Sequence, residues 1–381
     1  MQTYPFDVVE VGRTVRQPPL AELVGQAARR VRRRRALLSA AAVAMTVLVA
    51  VTAVPVLRSV NLTAVPADDG TRAGVRTATA VLDRDTVVTV RYGECAAQFS
   101  VTTDGGRTWS PYRGPVPWQD CGAPVTTSYR LLGPRVFAAE VRGARYLTRD
   151  AGQSWHREEE RVRTGDSVPP QAREQQDVPG QLVDPDTGTL YQPDTLAAPA
   201  DAAGAGLLRR ASDGTLWALF PGTATGGDGE QAVPQVARSE DSGRNWRWPA
   251  PFPATVAHAL LVAAGPEQAY VVGDCPDGAA VYRTDDGGEA WFATYVAWES
   301  AEVATVNSGG DLLVGGWEEN GRFAAWVSRD GGRSFAKGEA ITVPDGSTAG
   351  TADGRLWVAG GNGWAATSTD GRWRVTEPRR D

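Results

Sequence analysis

Apolar residues are distributed in two distinct ways along the 381-residue chain. One is an unbroken block, Ala36 to Leu57 (ALLSAAAVAMTVLVAVTAVPVL), in which 22 successive residues carry no charge and Arg35 and Arg58 mark the ends. At about 1.5 Å per residue a helix of that length spans roughly 30 Å, the hydrocarbon thickness of a bilayer. The block therefore predicts one membrane-spanning α-helix over 36–57, with Pro55 in its last turn, where a lost hydrogen bond costs least. The second pattern begins near residue 76: short apolar runs punctuated by Gly, Pro, Asp and Ser. Leu260–Ala263, Gln268–Val272, Ala279–Arg283 and Trp291–Val296 show the spacing. Runs of this kind predict antiparallel strands joined by tight turns.

The charge pattern orients the first element. Six of the seven residues Arg29–Arg35 are arginine, and positive charge resists translocation, so the N-terminus is expected in the cytoplasm and the C-terminal body outside it. A cleaved signal peptide has the same basic-then-apolar order. Here the basic lead is 35 residues long, and no small-x-small cleavage site follows the run. The expected organisation is an Arg-rich cytoplasmic stub at 1–35, in which Leu20–Val31 is amphipathic, then a signal-anchor helix at 36–57. A linker at 58–75 and an extracytoplasmic domain at 76–381 follow, placing a single-pass protein in the cell membrane.

One motif recurs through the body: Ser or Thr, any residue, Asp, any, Gly, any, a small or polar residue, then an aromatic. It stands at Thr102–Trp109, Thr148–Trp155, Ser239–Trp246, Thr284–Trp291 and Ser328–Phe335, with a shortened copy at Ser368–Trp373. Its aspartates are Asp104, Asp150, Asp241, Asp286, Asp330 and Asp370, at intervals of 46, 91, 45, 44 and 40 residues. The 91 is close to twice 45, so one repeat near residue 195 has lost its motif, and GTLYQPDTLAAP there still reads as a strand followed by a turn. A period near 45 with four short strands per unit is that of an all-β propeller. The 306 residues from 76 onward hold about seven blades, with six as the alternative.

The motif has a physical logic. An Asp carboxylate accepts hydrogen bonds from backbone N–H groups of its own turn. Glycine adopts the positive φ that such a turn requires. The aromatic then buries a large surface between sheets. It resembles the Asp box of the bacterial neuraminidase repeat family, found in sialidases, sortilin-type receptors and photosystem II assembly factors. The resemblance implies that each box joins the third and fourth strands of a blade, at the rim and away from the ligand face, and that its aspartates are structural.

Three cysteines in an exported domain leave one without a partner. Cys95 and Cys121 fall in turns expected on one face of the propeller, so a Cys95–Cys121 disulfide is plausible there, with Cys275 free. No CxxC or HxxxH spacing occurs, and His156 and His258 are the only histidines, so neither a metal nor another cofactor is expected.

Charge narrows the partners. The chain's net charge of −6 divides into +5 over residues 1–35, none over 36–57, and −11 over the remainder. An acidic body argues against nucleic acid, whose phosphates need a basic face. Arginine supplies every basic residue but Lys337.

For function, the resemblance raises an exo-sialidase-like glycoside hydrolase, which calls for three arginines clamping a carboxylate, a Tyr–Glu nucleophile pair and an Asp acid/base. The family's Arg-Ile-Pro-like tripeptide is missing, since the first blade opens Gly74-Val75-Arg76-Thr77-Ala78. Arg142, Arg145 and Arg322 nevertheless fall in predicted ligand-face loops. The same loops carry Trp118, Trp298, Glu299, Trp317, Glu318 and Trp364, residue types suited to a glycan or a protein ligand. The sequence favours a membrane-anchored, non-catalytic binding module over the hydrolase. A transmembrane sensor is a third reading, though the stub contains no recognisable signalling domain.

Overall fold

The computed structural model describes residues 76–93, 96–116, 127–160, 162–164, 168–174, 181–192, 206–220, 233–275, 278–298, 300–318, 320–344, 346–360 and 364–376. The chain divides into two units, Met1–Leu57 and Arg58–Asp381, and all described residues belong to the second. The stub, the expected membrane helix and the linker lie outside them, as do Cys95, Trp118, Cys121 and Glu299. No helix among the described residues is long and apolar enough to cross a membrane.

The described strands form seven sheets. Blade 1 comprises β1 (Arg76–Val81), β2 (Val87–Tyr92) and β3 (Ala97–Thr102), with a Phe99–Arg113 bridge in place of a fourth strand. Blade 2 comprises β4 (Thr127–Leu131), β5 (Phe137–Val141), β6 (Ala144–Thr148) and β7 (His156–Arg157). Blade 3 holds β8 (Val162–Thr164), β9 (Arg173–Glu174), β10 (Leu182–Val183) and β11 (Leu190–Gln192). Blade 4 comprises β12 (Leu207–Arg210), β13 (Leu216–Phe220) and β14 (Gln235–Ser239), with an Arg238–Arg247 bridge. Blade 5 runs β15 (Ala257–Ala263), β16 (Ala269–Cys275), β17 (Gly278–Thr284) and β18 (Phe292–Tyr295). Blade 6 runs β19 (Ser300–Val306), β20 (Leu312–Trp317), β21 (Phe323–Ser328) and β22 (Ala336–Ile341). Blade 7 runs β23 (Thr348–Ala352), β24 (Arg355–Ala359), β25 (Ala365–Ser368) and β26 (Trp373–Thr376).

The core shows how these sheets are arranged. Each neighbouring pair is joined by its own apolar cluster, and the last cluster joins blade 7 to blade 1 through Trp357, Ala359 and Ala365 against Ala80, Val81 and Val87. The ring therefore closes as a seven-bladed propeller, sealed by side-chain packing, with no described strand shared between its first and last sheets. Middle strands are buried on both faces, which is why they read as nearly continuous apolar runs. In β17, Val281 faces blade 6, whereas Ala280 and Tyr282 face blade 4.

The repeated motif folds the same way in blades 1, 2, 4, 5 and 6. In blade 4, Ser239 Oγ donates to Asp241 Oδ1 (2.8 Å) and accepts the Gly243 N–H (2.9 Å). Asp241 Oδ1 also accepts the Asn245 N–H (2.9 Å), and its Oδ2 accepts Asn245 Nδ2 (2.6 Å). Each carboxylate is thus wrapped by its own turn. The turn glycine serves twice: Gly332 has φ 83°, and a Cβ there would stand 3.1 Å from the Tyr270 ring of the preceding blade. The terminal aromatics Trp109, Trp155, Trp246 and Trp291 are half-buried, each packed against the seam cluster shared with the preceding blade. In blade 7 the shortened turn keeps the Gly371 N–H to Ser368 Oγ bond (3.1 Å), while Asp370 accepts only from the Arg372 N–H (3.0 Å).

Blade 3, which lacks the motif, is built differently. Its strands lie in the order β8-β11-β10-β9, and β8 runs parallel to β11 although it precedes β10 in the chain. β10 and β11 are joined by the same type of turn that links first and second strands elsewhere, closed by Asp184 N–H to the Thr189 carbonyl (2.9 Å). β9 pairs on the other side of β10, so it is an extra strand on the axial side. The segment leading into it buries Val168 and Ala172 among Leu182, Tyr191, Leu208 and Phe220. Without a motif turn to bring the chain back along the outer edge of β11, an earlier segment occupies that edge.

Candidate functional site

The turns divide the ring into two faces. Motif turns hydrogen-bond to the first turn of their own blade, as in Gly105 N–H to the Asp85 carbonyl, Ala151 to Arg135 and Gly287 to Glu267 (each 2.9 Å). These turns define one face. The loops between second and third strands and the connectors between blades lie on the other, and those of the sequence-selected ligand residues that the structure describes fall there.

The structure brings two of them together. Trp317, at the end of β20, and Trp364, just before β25, are each half-buried and pack against one apolar cluster at the blade 6–blade 7 seam, with Ile341 and Val343 beside them. The Trp317 ring meets Phe323 edge-on (5.0 Å between centroids), and Phe323 in turn meets Trp373 (5.7 Å). An aromatic stack therefore runs from this face toward the motif side and holds Trp317 rigidly.

Charged groups flank the pair. The loop 318–322 is closed by Gly321 N–H to the Glu318 carbonyl and Glu318 N–H to the Arg322 carbonyl (both 2.9 Å). Glu318 forms an ion pair with Lys337 and accepts from Asn320 Nδ2 (3.2 Å). Hydrogen bonding from Lys337 is the main cause holding its carboxyl below the usual carboxylate range. Arg322 donates to the Ala340 carbonyl of its own blade. The result is an apolar platform edged by a fixed carboxylate and a guanidinium, suited to stacking a flat or ring-shaped group and hydrogen-bonding its rim.

The remaining candidates lie elsewhere. Trp298 is 8% exposed in the blade 5–blade 6 seam, against Trp326 (5.6 Å) and Phe335 (5.8 Å). It fills the position that Phe252 fills one blade earlier, where Phe252 meets Trp291 at 5.0 Å. The sequence carries that signal, since Phe252 follows Trp246 by six residues and Trp298 follows Trp291 by seven. Arg142 (φ 54°) is exposed in the two-residue turn between β5 and β6. Arg145 Nη1 stands 2.9 Å from Glu160 Oε1, which also meets Arg130 Nη1 at 2.6 Å. Arg142 and Arg145 thus belong to blade 2 and Arg322 to blade 6. Arg145 is paired to Glu160 and Arg322 to its own blade's backbone.

Two side-chain contacts were not anticipated from sequence. His258 (φ 51°), at a bulge in β15, is 3.2 Å from Asp274. Arg173 of β9 meets Asp353 of blade 7. Among the described residues, no group of three or more His, Cys, Asp or Glu side chains is placed to hold a metal. Cys275 is a free thiol, 3.4 Å from the Tyr282 hydroxyl.

No protein-family model matches the chain, and no curated protein matches it. Among solved structures it is similar to "YCF48 bound to D1 peptide" at 16% identity, covering 83% of this chain and 87% of that one, with a TM-score of 0.32. It is also similar to "Hadza microbial sialidase Hz136" at 16% identity, covering 81% and 66%, with a TM-score of 0.39. A third is "SapL1 lectin in complex with alpha methyl fucoside", at 11% identity, covering 80% and 95%, with a TM-score of 0.38. Likenesses at these values carry no argument about ligand or activity, and the propeller assignment rests on the chain's own sheets and seams.

Proposed function

We propose that the ring is a non-catalytic binding module, an Asp-box propeller held outside the cytoplasm by a membrane-spanning helix over 36–57, and that it receives a glycan or protein ligand at the blade 6–blade 7 seam. One observation carries the choice of site: Trp317 and Trp364, from adjacent blades, are anchored in one cluster yet are only half-buried, with Glu318 and Arg322 flanking Trp317 in the chain. Rigid, partly exposed aromatics next to hydrogen-bonding groups are characteristic of binding hot spots. The pairing of Arg145 to Glu160 and of Arg322 to the Ala340 carbonyl supports the non-catalytic reading over an arginine clamp.

The test is a screen of the purified protein against glycan and peptide arrays, repeated with Trp317→Ala and Trp364→Ala. A ligand retained by the parent and lost in both variants, while both keep the parent's unfolding midpoint, supports this site. Turnover of a fluorogenic sialoside above background would sink the non-catalytic reading. A reporter active only outside the cytoplasm, fused at residue 70, tests the topology.

A further inference from the structure

The outermost segments of the blades differ in one respect. Six of them carry charge or proline: Pro111, Arg113 and Pro115 in blade 1, Arg157 and Glu158–Glu160 in blade 2, and Arg163 in blade 3. Blade 4 has Arg247, Pro249 and Pro251, blade 6 has Lys337 and Glu339, and blade 7 has Arg372 and Arg374. Such residues block pairing of one sheet edge with another. Blade 5 has none of them. Its outer segment, Trp291–Trp298 (WFATYVAW), contains neither charge nor proline, and it includes β18, a fully laddered edge strand. Phe292 and Tyr295 are 56% and 59% exposed, the most exposed large apolar side chains among the described residues.

The hydrogen-bond register defines what that edge offers. The Val296 N–H donates to the Ala279 carbonyl (3.1 Å), in the same register as Val281–Thr294 and Arg283–Phe292. Hydrogen-bonded pairs alternate along an antiparallel ladder, so Phe292, Thr294 and Val296 turn their backbone groups inward. Ala293 and Tyr295 turn theirs outward, over an edge that no described strand covers.

The geometry points to a second copy of this chain as the occupant, joined edge to edge by antiparallel pairing of β18 with the partner's β18. Antiparallel self-pairing has its two-fold axis normal to the sheet, so paired residues must lie on the same face. An axis through Thr294 meets that condition. Ala293 then exchanges both backbone hydrogen bonds with the partner's Tyr295, Thr294 faces the partner's Thr294, and Phe292 packs on the partner's Val296. Each large side chain meets a smaller one, which a strand bulky at every position would not allow. Charge favours the same edge: two bodies of −11 each repel, and this outer segment is the uncharged one along which they can approach.

Sedimentation velocity on the full chain over a concentration series, with Ala293→Lys and Tyr295→Lys alongside the parent, tests the proposal. The expected result is a reversible dimer in the parent and a monomer in both variants, with unfolding midpoints unchanged. In a Cys275→Ser background, Thr294→Cys should form a disulfide-linked dimer on oxidation, whereas Arg374→Cys on the blade 7 rim should not. A parent that stays monomeric overturns the proposal, as does a dimer that survives both lysine variants or equal cross-linking from position 374. None of these readouts depends on the ligand at Trp317 and Trp364.

Discussion

Arg173 on blade 3 and Asp353 on blade 7 stand 3.5 Å apart. At least two blades separate their sheets in either direction round the ring, so the contact crosses its middle. β9 carries Arg173 there, and Glu174 anchors the strand by accepting the Arg210 N–H (2.8 Å). The motif-side mouth of the ring is thereby bridged.

Crossing the axis does not make that pair strong. Both side chains are about half exposed, at 50% and 43%, and exposed ion pairs contribute about 0–1 kcal/mol. A double-mutant cycle with Arg173→Ala and Asp353→Ala, read by denaturant unfolding, should give a coupling below about 1 kcal/mol. Val168→Ala, which truncates a buried side chain in the segment leading to β9, should cost more than either single alanine. A coupling well above that bound would mean the pair, rather than the buried apolar residues, holds the segment.

The motif turns make a ranked prediction. Asp104 and Asp150 each accept a hydroxyl hydrogen bond on Oδ2, from Thr108 (2.7 Å) and Ser154 (2.6 Å), and Asp241 accepts the Asn245 amide. Asp286 has Ala290 at that position, which supplies only its backbone N–H to Oδ1 (3.0 Å) beside the Thr284 hydroxyl (2.8 Å). Ala290→Ser should therefore stabilise the domain by about 0.5–1.5 kcal/mol, the usual net value of one hydrogen bond. Asp241→Ala should destabilise it by about 0.5–2 kcal/mol, by analogy with losing a capping side chain, and by more than Asp286→Ala. Midpoints from chemical denaturation check the order, and a destabilising Ala290→Ser would contradict it.

The same turns predict an acid dependence. Asp104 is lowered to about 2, chiefly by the side chain and N–H of Thr108. Asp241 is lowered to about 2 by the N–H and side chain of Asn245. For Asp150, burial pushes upward, and the Ser154 hydroxyl and N–H outweigh it to leave about 2. In the unfolded chain these groups titrate at about 3.9. Because the folded values are depressed, their stabilisation is fully present above about pH 4 and is lost as pH falls through about 2. The unfolding midpoint should drop across that window, and less steeply in Asp241→Asn. An unchanged slope in that variant would show that other carboxylates govern acid unfolding.

Much of this molecule was legible in its sequence because the decisive interactions are local. Every hydrogen bond that closes a full motif turn joins residues no more than four apart, so the residue types specify the turn before any tertiary contact forms. Regular spacing of those turns then gives the period, and the doubled interval from Asp150 to Asp241 marks the blade that lacks one. The burial of middle strands such as β17 on both faces follows from the same repeat.

Tertiary structure decided what depends on partners distant in sequence. Trp298 and Trp317 look alike as aromatics in loops, yet Trp298 fills a seam against Trp326 and Phe335, while Trp317 remains half-exposed beside Trp364. Only the packing of adjacent blades distinguishes them. The strand order of blade 3 was likewise unreadable, because β8 reaches β11 across an intervening pair of strands and no local turn dictates that pairing. Arg173 finds Asp353 180 residues later, a contact that exists only because seven sheets close on themselves. Short-range hydrogen bonds are written in residue order, whereas seams, faces and contacts across the axis are fixed by which surfaces the closed ring brings together.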